Sequence, residues 1–162
     1  IFNAPFTVFS SNLNKTYRNT CNGMGIPILL FEGGKSLESN KYIVKEGFDG
    51  VLRVLHHLKM LGEDHKIVEA KKPPVLIEKS RWIRAQRSGL LHVKIDCNKY
   101  VEKDEFLATI TDPYGTMRFK VTAPNAGYII NVNHAPIVNQ GDAIFHISTE
   151  KTDPKGVLES GE

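Results

Sequence analysis

The alternation of apolar and polar positions changes character near residue 72. Before that point, helical periodicity alternates with short apolar runs. Phe6 to Phe9, Phe-Thr-Val-Phe, reads as a short buried strand. Asn14 to Met24 is polar with helical potential and ends at Gly25. Ile26 to Phe31 is an unbroken apolar run followed by Glu32-Gly33-Gly34. A run of that kind bounded by glycines predicts a fully buried strand, and Pro27 is tolerated among a strand's first residues. Phe48, Val51, Leu52, Leu55, Leu58 and Leu61 then recur at three- and four-residue spacing. This predicts an amphipathic helix over about residues 40–61, with a break near Gly47 and a stop at Gly62. Strand, helix, strand, helix in that order argues for an α/β unit with some parallel pairing.

After Lys71-Lys72-Pro73-Pro74, where paired prolines favour an extended connector, the pattern becomes short and β-rich. Strands are predicted at Val75–Ile77, Trp82–Ala85, Leu90–Ile95, Phe106–Ile110, Phe119–Val121, Tyr128–Val132 and Ala143–Ile147. Asp112-Pro113-Tyr114-Gly115 and Asn125-Ala126-Gly127 are turn sequences. The spacing predicts a small all-β sandwich or barrel. The expected division is 1–72 for the α/β unit, 73–148 for the β unit and 149–162 for a flexible, polar tail.

Composition narrows the function classes. Hydrophobic residues make up 41% and charged residues 24% of the chain, as in ordinary globular proteins. The net charge of +3, with both signs interspersed, does not argue for nucleic acid or an anionic membrane as partner. No apolar stretch of about 18 residues is present to span a bilayer. Cys21 and Cys97 stand without CxxC or CxH spacing, so no zinc knuckle or redox pair is signalled. Reduced thiols and a cytoplasmic location are the expectation.

Glu32 is the residue that position alone singles out. It follows a run that should be buried, and ligands gather where strands of α/β sheets end. Gly33 and Gly34 allow a sharp turn that leaves the carboxylate uncovered. A general base needs such a place, partly desolvated yet reachable by water; a glutamate that caps a helix or pairs with a lysine would look the same. Arg18, on the helix before that run, could grip a substrate carboxylate with both arms of its guanidinium, or could sit on a solvated face beside Lys15. Tyr17 reads as a half-buried helix residue. The six histidines, His56, His57, His65, His92, His134 and His146, form no HxxE or HxxxH pattern. His56 and His57 diverge by about 100° on a helix and cannot share one metal from one side. Phosphate-loop and GxSxG motifs are absent.

These residues carry a resemblance. Tyr17-Arg18-Asn19-Thr20 through Gly25-Ile26-Pro27 to Glu32-Gly33-Gly34 is similar to the segment of the succinylglutamate desuccinylase/aspartoacylase family in which an arginine-bearing helix leads into an apolar strand ending in the catalytic glutamate. Ile43 to Leu61 resembles its next helix. Trp82-Ile83-Arg84-Ala85, Gly89-Leu90, Val101-Glu102-Lys103, Asp112-Pro113-Tyr114-Gly115, Thr122-Ala123-Pro124, Gly127 and Pro136-Ile137-Val138-Asn139-Gln140-Gly141-Asp142 resemble its C-terminal β-domain.

The resemblance implies the C-terminal portion of a zinc-dependent amidohydrolase: part of a carboxypeptidase-like α/β domain, followed by a small barrel or sandwich akin to a biotinyl/lipoyl domain. It gives Glu32 the role of general base and Arg18 contact with a substrate carboxylate. The family's zinc ligands, an HxxE motif and a later histidine, lie upstream of the arginine helix and have no counterpart in this chain. The implied substrate is a small N-acyl amino acid-like molecule, with a homo-oligomer among the expected assemblies. Thr116, in Gly115-Thr116-Met117, stands where a biotin or lipoate carrier would have its lysine. The alternative reading is a non-catalytic binding module built on the β unit.

Overall fold

The computed structural model describes residues 1–11, 13–35, 38–62, 64–70 and 72–152. The chain divides into two compact units, one of residues 1–4 and 9–73, the other of residues 5–8 and 74–162.

Among its described residues the first unit carries two helices. Helix α1 spans Tyr17–Gly23, and the hydroxyl of Thr16 caps it by accepting from the Asn19 N–H. It ends in a paired set of reverse bonds: the Ile26 N–H donates to the Cys21 carbonyl at 2.9 Å and the Gly25 N–H to the Asn22 carbonyl at 3.0 Å, with Gly25 at φ 71°. That is the Schellman geometry, and it needs a left-handed residue where Gly25 stands. Helix α2 spans Lys41–His57, and the Asn40 side chain caps it by accepting from the Tyr42 and Ile43 N–H groups. Arg53 ties this helix to flanking chain, donating from Nε and Nη2 to the Phe2 carbonyl and from Nη1 to the Val68 carbonyl.

Four expectations fail in this unit. The helix has no break at Gly47. That glycine instead gives room to a ring, since a Cβ there would lie 2.8 Å from the Phe31 side chain. The helix also stops before Gly62, at Leu58, where Lys59 turns left-handed at φ 56°. Tyr17 is exposed rather than half-buried. Most important, Ile26 to Phe31 is not a buried strand. It has no regular structure, and Leu29 and Leu30 are 69% and 60% exposed. A strand exists only with a partner backbone to bond, and no described strand runs beside this segment.

Among the described residues the second unit is built from nine strands. Strand β1, Phe6–Val8, pairs parallel with β2, Val75–Arg84. Then follow β3 at Gly89–Val93, β4 at Tyr100–Val101, β5 at Phe106–Thr111, β6 at Arg118–Thr122, β7 at Gly127–Val132, β8 at Ile137–Val138 and β9 at Ala143–Thr152. They form a five-stranded sheet in the order β1-β2-β9-β7-β4 and a four-stranded sheet in the order β6-β5-β3-β8. Leu107, Val121 and Val138 from one sheet and Ile129, Phe145 and Ile147 from the other share a single buried core. The arrangement is therefore mixed α/β; among the described residues it has two helices and two sheets, and neither sheet closes into a barrel. A register shift between Ile129 and Asn131 lets β7 turn both Ile129 and Val132 inward, which strict alternation forbids. Thr149 to Thr152, expected in the tail, belong to β9; the rest of that tail lies outside the described residues.

Candidate functional site

Glu32 is exposed and has no ion-pair partner among the described residues, so it neither closes a salt bridge nor caps α2. The backbone on either side of it is held. On one side, the Phe31 ring lies against the Phe2 ring, centroids 5.2 Å apart, and over Gly47 of α2. On the other, Gly33 approaches Ile43 so closely that a Cβ would come within 2.6 Å of its Cγ2. The two glycines at positions 33 and 47 are thus the local reason the segment can lie on the helix with its carboxylate in solvent.

Arg18 lies in the first turn of α1 and is partly buried. No described contact joins it to Glu32. The Schellman turn at Gly25 sets the direction in which the chain leaves α1 toward the run before Glu32. Next to Arg18, the Tyr17 hydroxyl is hydrogen-bonded with the Cys21 thiol, which raises the phenol's pKa above its ordinary value. Cys21 is buried, Cys97 exposed, and both are free thiols.

The candidate metal chemistry finds no donor set here: among the described residues, no three His, Cys, Asp or Glu side chains converge. His56 and His57 sit exposed in the last turn of α2, and His134 is an exposed loop residue. Zinc is therefore not fitted by this chain's own described side chains.

One constellation escapes sequence reading altogether. On the five-stranded sheet, Trp82 of β2 and His146 of β9 are cross-strand partners, and their rings stack at 4.5 Å with 9° between planes. The His146 Nε2 lies 2.8 Å from the Ser80 hydroxyl. Burial holds the imidazole below its ordinary pKa. These residues come from opposite ends of the second unit, and only the register of β2 against β9 brings them together.

The residues that carried the resemblance in the β unit are largely structural. Arg84 donates to the Gly141 carbonyl at 2.8 Å, and the Ala85 N–H donates to the Asp142 carbonyl at 2.8 Å. Asp112 organises its hairpin by accepting from the Met117 N–H and the Thr116 hydroxyl, and these bonds hold its carboxyl below the usual range.

No family model matches the chain, and no curated protein does. Solved structures do match. The product-bound ectoine utilization protein EutE of Ruegeria pomeroyi superposes with a TM-score of 0.78 at 21% identity, over 92% of this chain and 46% of its own. A succinylglutamate desuccinylase/aspartoacylase of Rhodobacter sphaeroides gives 0.77 at 21% identity, over 94% of this chain and 47% of its own. A succinylglutamate desuccinylase of a Silicibacter species gives 0.74 at 20% identity, over 91% and 46%. The chain thus has the fold of part of these proteins and spans about half their length.

Proposed function

We propose that this chain is part of a zinc-dependent amidohydrolase of the succinylglutamate desuccinylase/aspartoacylase type, which removes the acyl group from an N-acyl amino acid-like substrate. The observation that carries the reading is the apolar run from Ile26 to Phe31. It has the composition of a central strand, ends in an uncovered carboxylate, and lies exposed in a chain whose fold matches about half of known deacylase structures. An exposed run of this kind is stabilised by burial against further sheet, which fits a portion of a larger catalytic domain.

In this reading Glu32 is the general base. It takes a proton from the attacking water as oxygen bonds to the amide carbon, and returns it to the nitrogen as the C–N bond breaks. Arg18 grips the carboxylate of the amino-acid moiety. Zinc would polarise the carbonyl and acidify the water; since the described side chains do not form its donor set, it would be held by residues beyond this chain. The β unit, in the same reading, is a non-carrier relative of biotinyl/lipoyl domains, with Thr116 hydrogen-bonded to Asp112 in the hairpin where a carrier would present lysine.

The test is hydrolysis of a panel of N-acetyl, N-succinyl and N-formyl amino acids by the whole protein that carries this chain, with zinc present and then chelated. Chelator-sensitive release of the free amine supports the proposal. No release from any member of the panel, with the protein folded and zinc-loaded, would leave a non-catalytic binding module as the better reading.

A further inference from the structure

We infer that the free edge of β6 is a docking site for an extended, acidic protein segment, which adds to the four-stranded sheet as a further strand. The site lies wholly within the β unit and does not rest on the hydrolase reading. In the order β6-β5-β3-β8, β6 has a neighbour on one side only among the described residues. It is also the longest of the strands at the sheet edges: β6 has five residues, β1 three, and β4 and β8 two each.

The backbone groups of β6 are aimed at that edge. At one end the Asp112 N–H donates to the Met117 carbonyl, and at the other the Ala123 N–H donates to the Glu105 carbonyl. Met117 and Ala123 thus both bond toward the β5 side. Bonding direction alternates along a strand. The register shift in this pair falls on β5, between Phe106 and Ala108, and leaves the alternation of β6 intact. The N–H and C=O groups of Arg118, Lys120 and Thr122 therefore face away from β5. Such an edge is a template for strand addition, in which main-chain bonds give affinity and side chains give selectivity.

The side chains choose the partner. Phe119 packs against the core and Val121 is buried in it, so Arg118 and Lys120 share the outer face of the sheet, where both are exposed. Their cross-strand neighbours on β5, Thr111 and Thr109, carry no charge. Neither cation has an ion-pair partner among the described residues. An incoming strand repeats every two residues at the same spacing, about 6.7 Å. Carboxylates two residues apart would fall opposite Arg118 and Lys120, the favourable cross-strand pairing. An apolar residue between them would meet the partly buried Phe119 on the core side. A second copy of β6 is a poor occupant, since two-fold antiparallel pairing about Lys120 sets one Lys120 against the other. A nucleic-acid strand would match the charges and leave the row of N–H and C=O groups unpaired.

The experiment uses the full chain and N-terminally fluorescein-labelled peptide amides at physiological salt, read by anisotropy and by hydrogen exchange with mass spectrometry. Val-Glu-Val-Glu-Val-Glu should bind saturably and slow exchange in the segment Met117–Ala123. Val-Lys-Val-Lys-Val-Lys should bind about 10-fold or more weakly, because two favourable cross-strand pairs become repulsive. Val-Val-Val-Glu-Glu-Glu keeps the charge without the alternation and should also bind more weakly. Arg118→Glu/Lys120→Glu should reverse the preference between the first two peptides, and that reversal itself shows the variant to be folded. The inference is overturned if the alternating acidic peptide does not saturate, if the block peptide or an oligothymidylate of equal charge binds as tightly, if the double variant keeps the original preference, or if protection appears on another strand. Slowed exchange at Met117–Ala123 that depends on chain concentration alone would also overturn it, by placing a second copy on this edge.

Discussion

Replacing Gly127 with alanine should destabilise the β unit by roughly 2–4 kcal/mol, from overpacking of about 1–3 kcal/mol and about 1 kcal/mol for a disturbed hydrogen bond. Gly127 is buried where the turn after Asn125 enters β7, against β9. An added Cβ would overlap the Ser148 carbonyl and lie 2.9 Å from its hydroxyl. The carbonyl cannot rotate aside as a side chain would, because Ile147 next to it is fully buried. The turn must lift instead. That movement strains two bonds that close it onto β9: the Tyr128 N–H to the Ser148 hydroxyl at 2.8 Å, and the Asn125 side-chain amide to the Ser148 carbonyl at 2.9 Å. Urea unfolding followed by tryptophan emission is the assay. Trp82 is the chain's one tryptophan and lies on β2, beside β9, so it reports this unit. With a urea slope of about 1–3 kcal/mol per molar, the midpoint should fall by roughly 0.7–4 M. Ser148→Ala alone removes only the hydroxyl's bond and should cost less, about 1–2 kcal/mol. The reasoning is refuted if Gly127→Ala stays within about 0.5 kcal/mol of wild type, the size of an ordinary surface change. It is also refuted if Ser148→Ala rescues it, since the clash would then be with the hydroxyl and not with the backbone.

Two further outcomes are expected. Val44, Phe48, Val51 and Leu58 form an exposed apolar stripe along α2 and beyond its end, and Leu29 and Leu30 add a second apolar surface. The isolated chain should therefore self-associate in size-exclusion chromatography, and Phe48→Lys with Leu30→Lys should shift it toward the monomer; a wild-type chain that elutes as a monomer at every concentration would contradict this. His146 supplies a pH dependence. Its folded pKa lies below the unfolded value because burial disfavours the charged ring, so its contribution is intact above about pH 6.5 and is lost as the pH falls through and below that value. The urea midpoint should drop between about pH 7.5 and 5.5, and the drop should be smaller in His146→Gln; equal slopes in the two proteins would show that other groups carry the effect.

The β unit was legible because its strands are bounded by turn chemistry. Asp112 to Gly115 and Asn125 to Gly127 mark hairpin and strand starts in sequence and in structure alike. The two strands that the pattern missed, β4 and β8, are two residues long, too short for alternation to register. The run from Ile26 to Phe31 shows the opposite limit. Apolar content signals what a segment needs, and a strand also requires a neighbour that the segment itself does not encode. The helix break expected at Gly47 failed for a related reason: glycine there serves the Phe31 ring packed against it, and helix propensity alone does not reveal a ring arriving from elsewhere in the chain. At the candidate site, Glu32 could be singled out by its place after the run, and it is exposed. The role of Arg18 rested on resemblance, and no described contact links it to Glu32. The His146, Trp82 and Ser80 cluster left no trace in the sequence, because Ser80 and His146 stand 66 positions apart and meet only through strand register.

The most direct measurement is the turnover of an N-acyl amino acid substrate by the zinc-loaded whole protein, compared with its Glu32→Gln variant. Proton transfer by a positioned carboxylate contributes about 10²–10⁴-fold, so kcat should fall by that factor with KM little changed. A Glu32→Gln protein that turns over at the wild-type rate would show that this carboxylate takes no part in the chemistry.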